Sequence, residues 1–587
     1  MKDDGNCMSI TITTGIVASP GIRIGKTFVL GKRALKVPKY LIDEAFTEQE
    51  INRLIKAIDV TKKDLLVIQK HISISLSKEI SDIFESHLMI LDDPITQQRI
   101  KDLIINEKKN AEWAVNDFSK EFIENLNSDG DEYFRDRIID IADLSKRIIA
   151  NLQEKMDKLL PEIDEKIILF SRDLTPSEVA TMNKELILAI VTDKGGPTSH
   201  TSIIARALEI PTIVGSNNCT SYVKTGDCVI VDAIEGKIII NPDEKTITEY
   251  KKHESDYIKL MEELAKLASL PSKTTDSAQI NIFGNIEFPE EMKSIKDHGA
   301  QGIGLLRSEF LFIDKKLPDE ETQFKSYSDI VKYFAPQPVT IRTLDVGGDK
   351  ILGYTETNKE KNPFLGTRAI RFSLEHEEMF KVQLRAILKA SHYGNVKLLF
   401  PLITCLSELN KAKKITYSVM DDLRKEGIPF NESIPIGIMI EVPSAAMKAD
   451  ILSKYCDFFS VGTNDLTQYM SAVDRVNEKL AYLYNPVDIS VLRVLKMIKE
   501  AANAANIPVS ICGEMTAKPE YTSLLLGLGY TDLSMSPVYM HQVKQIIRNV
   551  SMKESIEFTN ELLQCYDNEV IQKKLKERYS QKIAEIK

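Results

Sequence analysis

Residues 435–465 read PIGIMIEVPSAAMKADILSKYCDFFSVGTND, and this stretch decides the fold. Two short apolar runs, 435–440 and 457–461, have the composition of strands buried on both faces. Residues 443–455 between them carry a helical pattern, which makes the whole a strand–helix–strand unit. The alternation continues on both sides. Strand candidates lie at 280–286, 301–306, 339–344 and 397–403, and again at 508–512 and 531–535. Helical patterns over 319–334, 406–425 and 488–505 separate them. Eight strands alternating with helices predict a (β/α)8 TIM barrel over 276–587, with a doubly wound open sheet as the alternative arrangement.

In such barrels chemistry sits after the carboxyl ends of the strands. Read in order, those ends are charged. The second strand ends at Arg307, and the third carries Arg342 and runs into Asp345–Asp349. The fifth ends at Glu441, the sixth at Gly462-Thr-Asn-Asp465, and the seventh at Cys512-Gly-Glu514, with Arg475 shortly after the sixth. Any one of these alone reads as a solvated charge or a structural ion pair; the set on one rim does not. Guanidinium groups match phosphate oxygens bidentately, so Arg307, Arg342 and Arg475 are suited to clamp a phosphate. Glu441 and Asp465 are hard oxygen ligands suited to Mg²⁺. Asn464 offers an amide donor for a carboxylate, and Cys512 is a candidate proton donor where a buried thiol is otherwise a small hydrophobe.

The first half of the chain is organised differently. Residues 9–32 look like strands and turns, and Thr47 to about Lys155 is helical in pattern. Strand-like text returns near 166–170, 186–191, 212–214 and 229–232. A helical bundle inserted into an α/β domain accounts for this order. Within the α/β part, Gly195 to Arg206 reads GGPTSHTSIIAR. The glycine pair permits close backbone approach, Thr198 or Ser199 can cap a helix, and Ile203, Ile204 and Leu208 have helical spacing. His200 then lies in the first turn, where free N–H groups and the helix dipole favour an anion and a neutral imidazole. That suits a nucleophile carrying a phosphoryl group, although capping or packing the helix start is the plainer use of such a histidine. Residues 243–275 read as a charged linking helix followed by a break.

Composition bounds the rest. A chain of 587 residues divides into several domains, and 43% hydrophobic with 28% charged residues is ordinary for a soluble protein. A formal net charge of −10 argues against nucleic acid as a partner. The 7 cysteines show no CxxC spacing, as expected of reduced cytosolic thiols. The first residues lack the apolar core of a signal peptide and no run reaches membrane-spanning length, so no membrane insertion and a cytoplasmic location are expected.

Several strings together carry a resemblance. They are Gly15–Gly21 (GIVASPG), Asp173–Ser177 (DLTPS), the His200 segment and Gly304–Phe310 (GLLRSEF). Further along come Arg342–Asp349 (RTLDVGGD), Asn362–Arg368 (NPFLGTR), Ser460–Gln468 (SVGTNDLTQ) and Cys512–Glu514 (CGE). Over nearly its full length the chain resembles the enzyme I family of the bacterial phosphoenolpyruvate-dependent sugar phosphotransferase system. The resemblance implies a swivelling phosphohistidine α/β domain (8–36 and 151–242) with an inserted helical domain (37–150) that docks the phosphocarrier protein HPr. It further implies a linker helix (243–275) and a TIM barrel (276–587) that binds phosphoenolpyruvate and forms a homodimer. His200, through Nε2, matches the phosphorylated histidine, and Cys512 the proton donor to the enolate carbon. Arg307, Arg342, Asn464, Asp465 and Arg475 match substrate contacts, and Glu441 and Asp465 match the Mg²⁺ ligands.

The implied activity is phosphoryl transfer from phosphoenolpyruvate to His200 and then to HPr, releasing pyruvate at the first step of sugar uptake. Pro197 stands where many members have arginine, and Val179 where some have threonine. Pyruvate phosphate dikinase and phosphoenolpyruvate synthase share the histidine and barrel pair, but 47–155 lacks the glycine-rich phosphate loop of their nucleotide domain. A non-catalytic regulator that binds phosphoenolpyruvate is the other class, and the intact rim argues against it.

Overall fold

The β-branched runs on either side of the helical stretch join into one sheet. The computed structural model describes residues 10–12, 15–30, 37–75, 88, 90–127, 132–153, 165–174, 186–195, 202, 205, 210–287, 289, 291–312, 317–347, 362–475 and 480–586. It divides into two units, Met1–Met261 and Glu262–Lys587, with the division inside the helix Glu244–Ala265.

In the first unit the strands are β1 (Ile10–Ile12), β2 (Ile16–Ser19), β3 (Ile22–Leu30), β4 (Ile167–Ser171), β5 (Ile187–Thr192), β6 (Thr212–Val214), β7 (Cys228–Asp232) and β8 (Lys237–Ile240). They form a mixed sheet in the order β1-β8-β7-β3-β4-β5-β6-β2. β3 and β4 pair in parallel from Lys26↔Ile167 to Leu30↔Ser171, so the sheet is continuous across the insertion. The insertion holds the helices Thr47–Ser75, Pro94–Glu107, Ala111–Asn127 and Glu132–Leu152. Their apolar faces bury Leu54, Leu65, Ile104, Val115 and Leu144, and this core runs on into Ile167, Leu169 and Ile190 of the sheet. Arg53 pins three parts of the bundle together: Nη1 lies 2.8 Å from Glu50 Oε1, and Nη2 2.9 Å from Glu112 Oε1 and 3.3 Å from the Leu152 carbonyl.

In the second unit the expected barrel closes. β9 (Asn281–Ile286), β10 (Ile303–Leu306), β11 (Val339–Arg342), β12 (Val396–Phe400), β13 (Ile436–Ile440), β14 (Phe459–Gly462), β15 (Val509–Cys512) and β16 (Asp532–Met535) pair in sequence, all parallel, and β16 returns to β9. Period-two alternation explains the two cores. Ile436, Ile438 and Ile440 of β13 pack outward in the large cluster with the helices, while Met439 joins Leu305, Leu399, Phe458 and Cys512 within the barrel. The helical expectation for 443–455 is realised as two short helices, Pro443–Ala446 and Ala449–Leu452. Lys448 interrupts them, and its Nζ donates to the Thr404 carbonyl at 2.7 Å. Residues before β9 are anchored to the barrel, since Thr275 N donates to the Val550 carbonyl and Asp276 caps the helix Met552–Leu562.

Gly437 shows how the interior is filled. A Cβ there would lie 2.6 Å from Phe458 ring atoms, so the missing side chain is the space the ring occupies. Gly437→Val is expected to destabilise the barrel by about 1–3 kcal/mol through overpacking. Denaturant unfolding should show Gly437→Val with Phe458→Leu to be less destabilised than the sum of the single changes; strict additivity would mean the ring does not fill that gap.

Candidate active site

Five of the candidate residues stand at the carboxyl ends of barrel strands. Arg307 follows β10, Arg342 is the last residue of β11, and Glu441 follows β13. Asp465 lies in the first turn of the helix Thr463–Ser471 after β14, and Cys512 ends β15. Arg342, Glu441, Asp465 and Cys512 are all buried.

The centre is an ion cluster. Asp345 Oδ2 lies 2.8 Å from Arg342 Nη1, and its Oδ1 lies 2.8 Å from Arg368 Nη2. The same Arg368 nitrogen lies 3.2 Å from Asp465 Oδ2. Arg342 also reaches Glu309 Oε2 at 3.1 Å. Carboxylate oxygens of Asp345, Glu441 and Asp465 lie within 4.8 Å of one another. Burial alone would raise the pKa of Asp345, but Arg342 and then Arg368 hold it below the ordinary range. Glu441 goes the other way: burial first, then the Asp345 and Asp465 charges, push it up to about 8 against the pull of both arginines. Its Oε1 accepts from Leu402 N at 2.7 Å. Among the described residues Asp465 Oδ1 has no hydrogen-bond partner, with Arg475 Nη1 at 3.7 Å.

Around this centre, Arg307 pairs with Glu287 at the end of β9, and burial followed by the Arg342 charge lowers its pKa. Its side chain keeps 34% of its surface open, the opening a ligand needs. Asn464 was expected to offer an amide to a ligand. Its Nδ2 lies 3.4 Å from Glu514 Oε1 and its Oδ1 accepts from Glu514 N at 3.0 Å, so it ties the β14 and β15 loops. Gly513 permits this approach: its φ is +113°, and a Cβ there would come within 3.0 Å of Asn464 Oδ1.

Cys512 Sγ donates to the Val461 carbonyl at 3.4 Å and lies 3.4 Å from Ser460 Oγ. Burial raises its pKa and the Glu441 charge adds to the rise, while Ser460, Arg342 and Arg307 oppose it. The thiol therefore keeps its proton at neutral pH. Cys405, at the N-terminus of the helix Leu406–Glu426, behaves oppositely. Burial would raise it, but hydrogen bonds from Ser407 and the Glu408 backbone bring it below the usual thiol range.

Asp345, Arg368 and Glu309 were not singled out as site residues in the sequence, although each lies inside a string that was. Arg368 is held by Tyr469 Oη at 3.5 Å and lies over the Phe364 ring, which gives Asn362–Arg368 its physical use. Ala369 beside it has φ +54°, a strained value for a residue with a side chain. His200, Pro197 and Val179 lie outside the described residues. Near His200, Ser202 and Ala205 are described as helical and fully buried.

Three domain families match the chain: PEP-utilising enzyme, N-terminal, over residues 14–137; PEP-utilising enzyme, mobile domain, over 163–236; and PEP-utilising enzyme, PEP-binding domain, over 261–552. The chain is 40% identical over 538 residues to a phosphoenolpyruvate-protein phosphotransferase of Priestia megaterium, covering 92% of this chain and 94% of the relative. It is 41% identical over 543 residues to one of Haemophilus influenzae, covering 92% and 94%. A solution NMR structure of Enzyme I (nEIt) is 42% identical, covers 41% of this chain and 98% of its own, and superposes with a TM-score of 0.36.

The opposite thiol environments give a direct expectation. At pH 7.5 iodoacetamide should modify Cys405 well before Cys512, as read by peptide mass spectrometry. Equal rates, or Cys512 first, would contradict a buried, proton-retaining thiol at the barrel mouth.

Proposed function

We propose a reaction for a chain that belongs to the phosphoenolpyruvate-protein phosphotransferase family: phosphoenolpyruvate gives its phosphoryl group to His200 Nε2, which passes it to the phosphocarrier HPr. Pyruvate is released, and the step opens sugar uptake. The observation that carries the reading is the barrel mouth, where guanidinium groups, crowded carboxylates and a protonated thiol stand on adjoining strand ends.

The donor set fits Mg²⁺: three carboxylates within 4.8 Å, all hard oxygen, one oxygen of Asp465 without a hydrogen bond, and a Glu441 destabilised as an anion by its neighbours. Glu441 and Asp465 would hold the ion, with Asp345 beside them, and it would supply positive charge to the phosphate and carboxylate oxygens of the substrate.

The protein's own groups do the rest. Arg307, Arg342 and Arg475 bind the phosphate oxygens, Asp465 would meet the substrate through the ion it holds, and the Asn464 amide can turn from Glu514 to the substrate carboxylate. His200 Nε2 attacks phosphorus in line; the bond from phosphorus to the enol oxygen breaks and its electron pair stays on that oxygen. Cys512 delivers its S–H proton to the methylene carbon of the enolate, giving pyruvate, and the thiolate recovers a proton from solvent. Burial keeps that proton in place until the enolate forms.

Residues 8–36 and 151–242 form the phosphohistidine domain in this reading, 37–150 dock HPr, 243–275 link, and 276–587 bind substrate and pair as a homodimer. Action in the cytoplasm is part of this reading; among the described residues no helix is long and apolar enough to cross a membrane.

The test is incubation with labelled phosphoenolpyruvate, Mg²⁺ and purified HPr. Acid-labile, base-stable label should appear on the wild-type protein and pass to the carrier, and His200→Ala should carry none; acid-labile label on that variant would sink the assignment. Cys512→Ser should bind phosphoenolpyruvate nearly normally while pyruvate formation slows by about 10²-fold or more in a single turnover. Near-normal turnover would return Cys512 to core filler.

A further inference from the structure

One buried polar side chain outside the barrel is not used by the chemistry above. Gln383, on the helix Glu377–Ala390, is 1% exposed among Phe380, Leu384 and Ile387. A position that needed only filling would take leucine or methionine, because an amide buried without partners is costly. Here the amide is fully engaged. Oε1 accepts from Leu344 N at 3.0 Å, and Nε2 donates to Ser308 Oγ and Tyr327 Oη, each at 3.1 Å.

The partners matter for where they lie. Ser308 directly follows Arg307, and Leu344 directly precedes Asp345, the carboxylate that holds Arg342. Nearer the mouth, Glu309 makes a second tie between the same two loops: Oε1 accepts from Asp345 N at 2.8 Å and Oε2 meets Arg342 Nη2 at 3.1 Å. The backbone supplies less order here than on the other side of β11. β10 and β11 pair only at Ile303↔Val339 and Leu306↔Ile341, with a register shift between, whereas β11 and β12 pair at four successive positions. A shifted ladder does not by itself fix where one strand end stands relative to the next.

We propose that Gln383 is a positioning residue that sets the spacing of the Arg307 and Arg342 strand ends for the phosphate of phosphoenolpyruvate. The inference rests on the functional reading above. Displacements of about 1 Å at reacting groups can cost about 10²-fold in rate, so a side chain that never touches substrate can govern its use.

The experiment measures equilibrium binding of phosphoenolpyruvate and of oxalate, both with Mg²⁺, together with kcat, KM and thermal stability. Oxalate mimics the enolate and lacks the phosphate. Gln383→Met is expected to weaken phosphoenolpyruvate binding and raise KM about tenfold or more, with oxalate binding unchanged. Leu384→Ala, a buried apolar neighbour with no side-chain hydrogen bond to lose, should lower thermal stability without that selective loss. If Gln383→Met does not fold, Ser308→Ala severs the β10 arm alone and should show the same selectivity. Equal loss of both ligands, no loss, or the same selectivity in Leu384→Ala would overturn the positioning role. A wild-type protein that binds neither ligand would overturn the functional reading, and this inference with it.

Discussion

Three carboxylates share one space at the barrel mouth, and the rest of the site answers that constraint. At the 4.8 Å within which Asp345, Glu441 and Asp465 oxygens lie, two unit charges repel by about 3–4 kcal/mol at an effective dielectric near 20. No arrangement of apolar neighbours relieves this. Arg342 at the end of β11 and Arg368 in the connection that follows it do, with Arg368 spanning Asp345 and Asp465 through a single nitrogen. The relief is uneven. Asp345 has two close guanidinium partners and is held below the ordinary range, while Glu441 has none within ion-pair distance among the described residues and is pushed up to about 8. A site whose own cations leave one carboxylate without a close ion pair is poised for a further positive charge, and the Asp465 oxygen that has no hydrogen bond among the described residues points to the same need.

The thiol is governed by the same field. Cys512 stands across the β14–β15 ladder from Gly462, and a Cβ on Gly462 would lie 2.8 Å from Glu441 Oε2. The absent side chain leaves carboxylate and thiol open to each other. Burial and that carboxylate disfavour a thiolate, while Ser460, Arg342 and Arg307 favour it. A general acid must hold its proton until the base appears and then release it without a large penalty, and opposed influences of this kind serve that purpose.

The barrel was legible because strands buried on both faces read as short apolar runs; all eight expected runs overlap the observed strands. The rim was legible where a charged residue directly follows a strand, as Arg307 and Glu441 do. Arg368 does not. It lies beyond β11 by a long connection, and only the folded loop brings it to Asp345. Asp345 was visible as part of a string, but whether it ligates, pairs or caps depends on which arginine arrives. Gln383 left no signal, because a glutamine in an amphipathic helix reads as surface until the helix is packed. The break in 443–455 was hidden for a related reason: Lys448, between the two short helices, bonds to the Thr404 carbonyl of another loop, a partner that only the folded chain brings near.

The position of the helical insertion carries an argument of its own. β3 and β4 are parallel neighbours, so the chain that leaves at Leu30 must travel the length of the sheet to re-enter at Ile167. Parallel pairs always need such a crossover, usually a single helix. Here the crossover has grown into a bundle whose core is continuous with Ile167, Leu169 and Ile190 on one face of the sheet. The bundle is therefore not an appendage on a surface loop. It is the connection that lets β3 and β4 pair, and it covers apolar sheet surface that would otherwise face water. A protein built this way can vary the bundle's outer face freely, since the crossover asks only for length and one apolar side, and that freedom suits a surface whose proposed work is to recognise a partner rather than to perform chemistry.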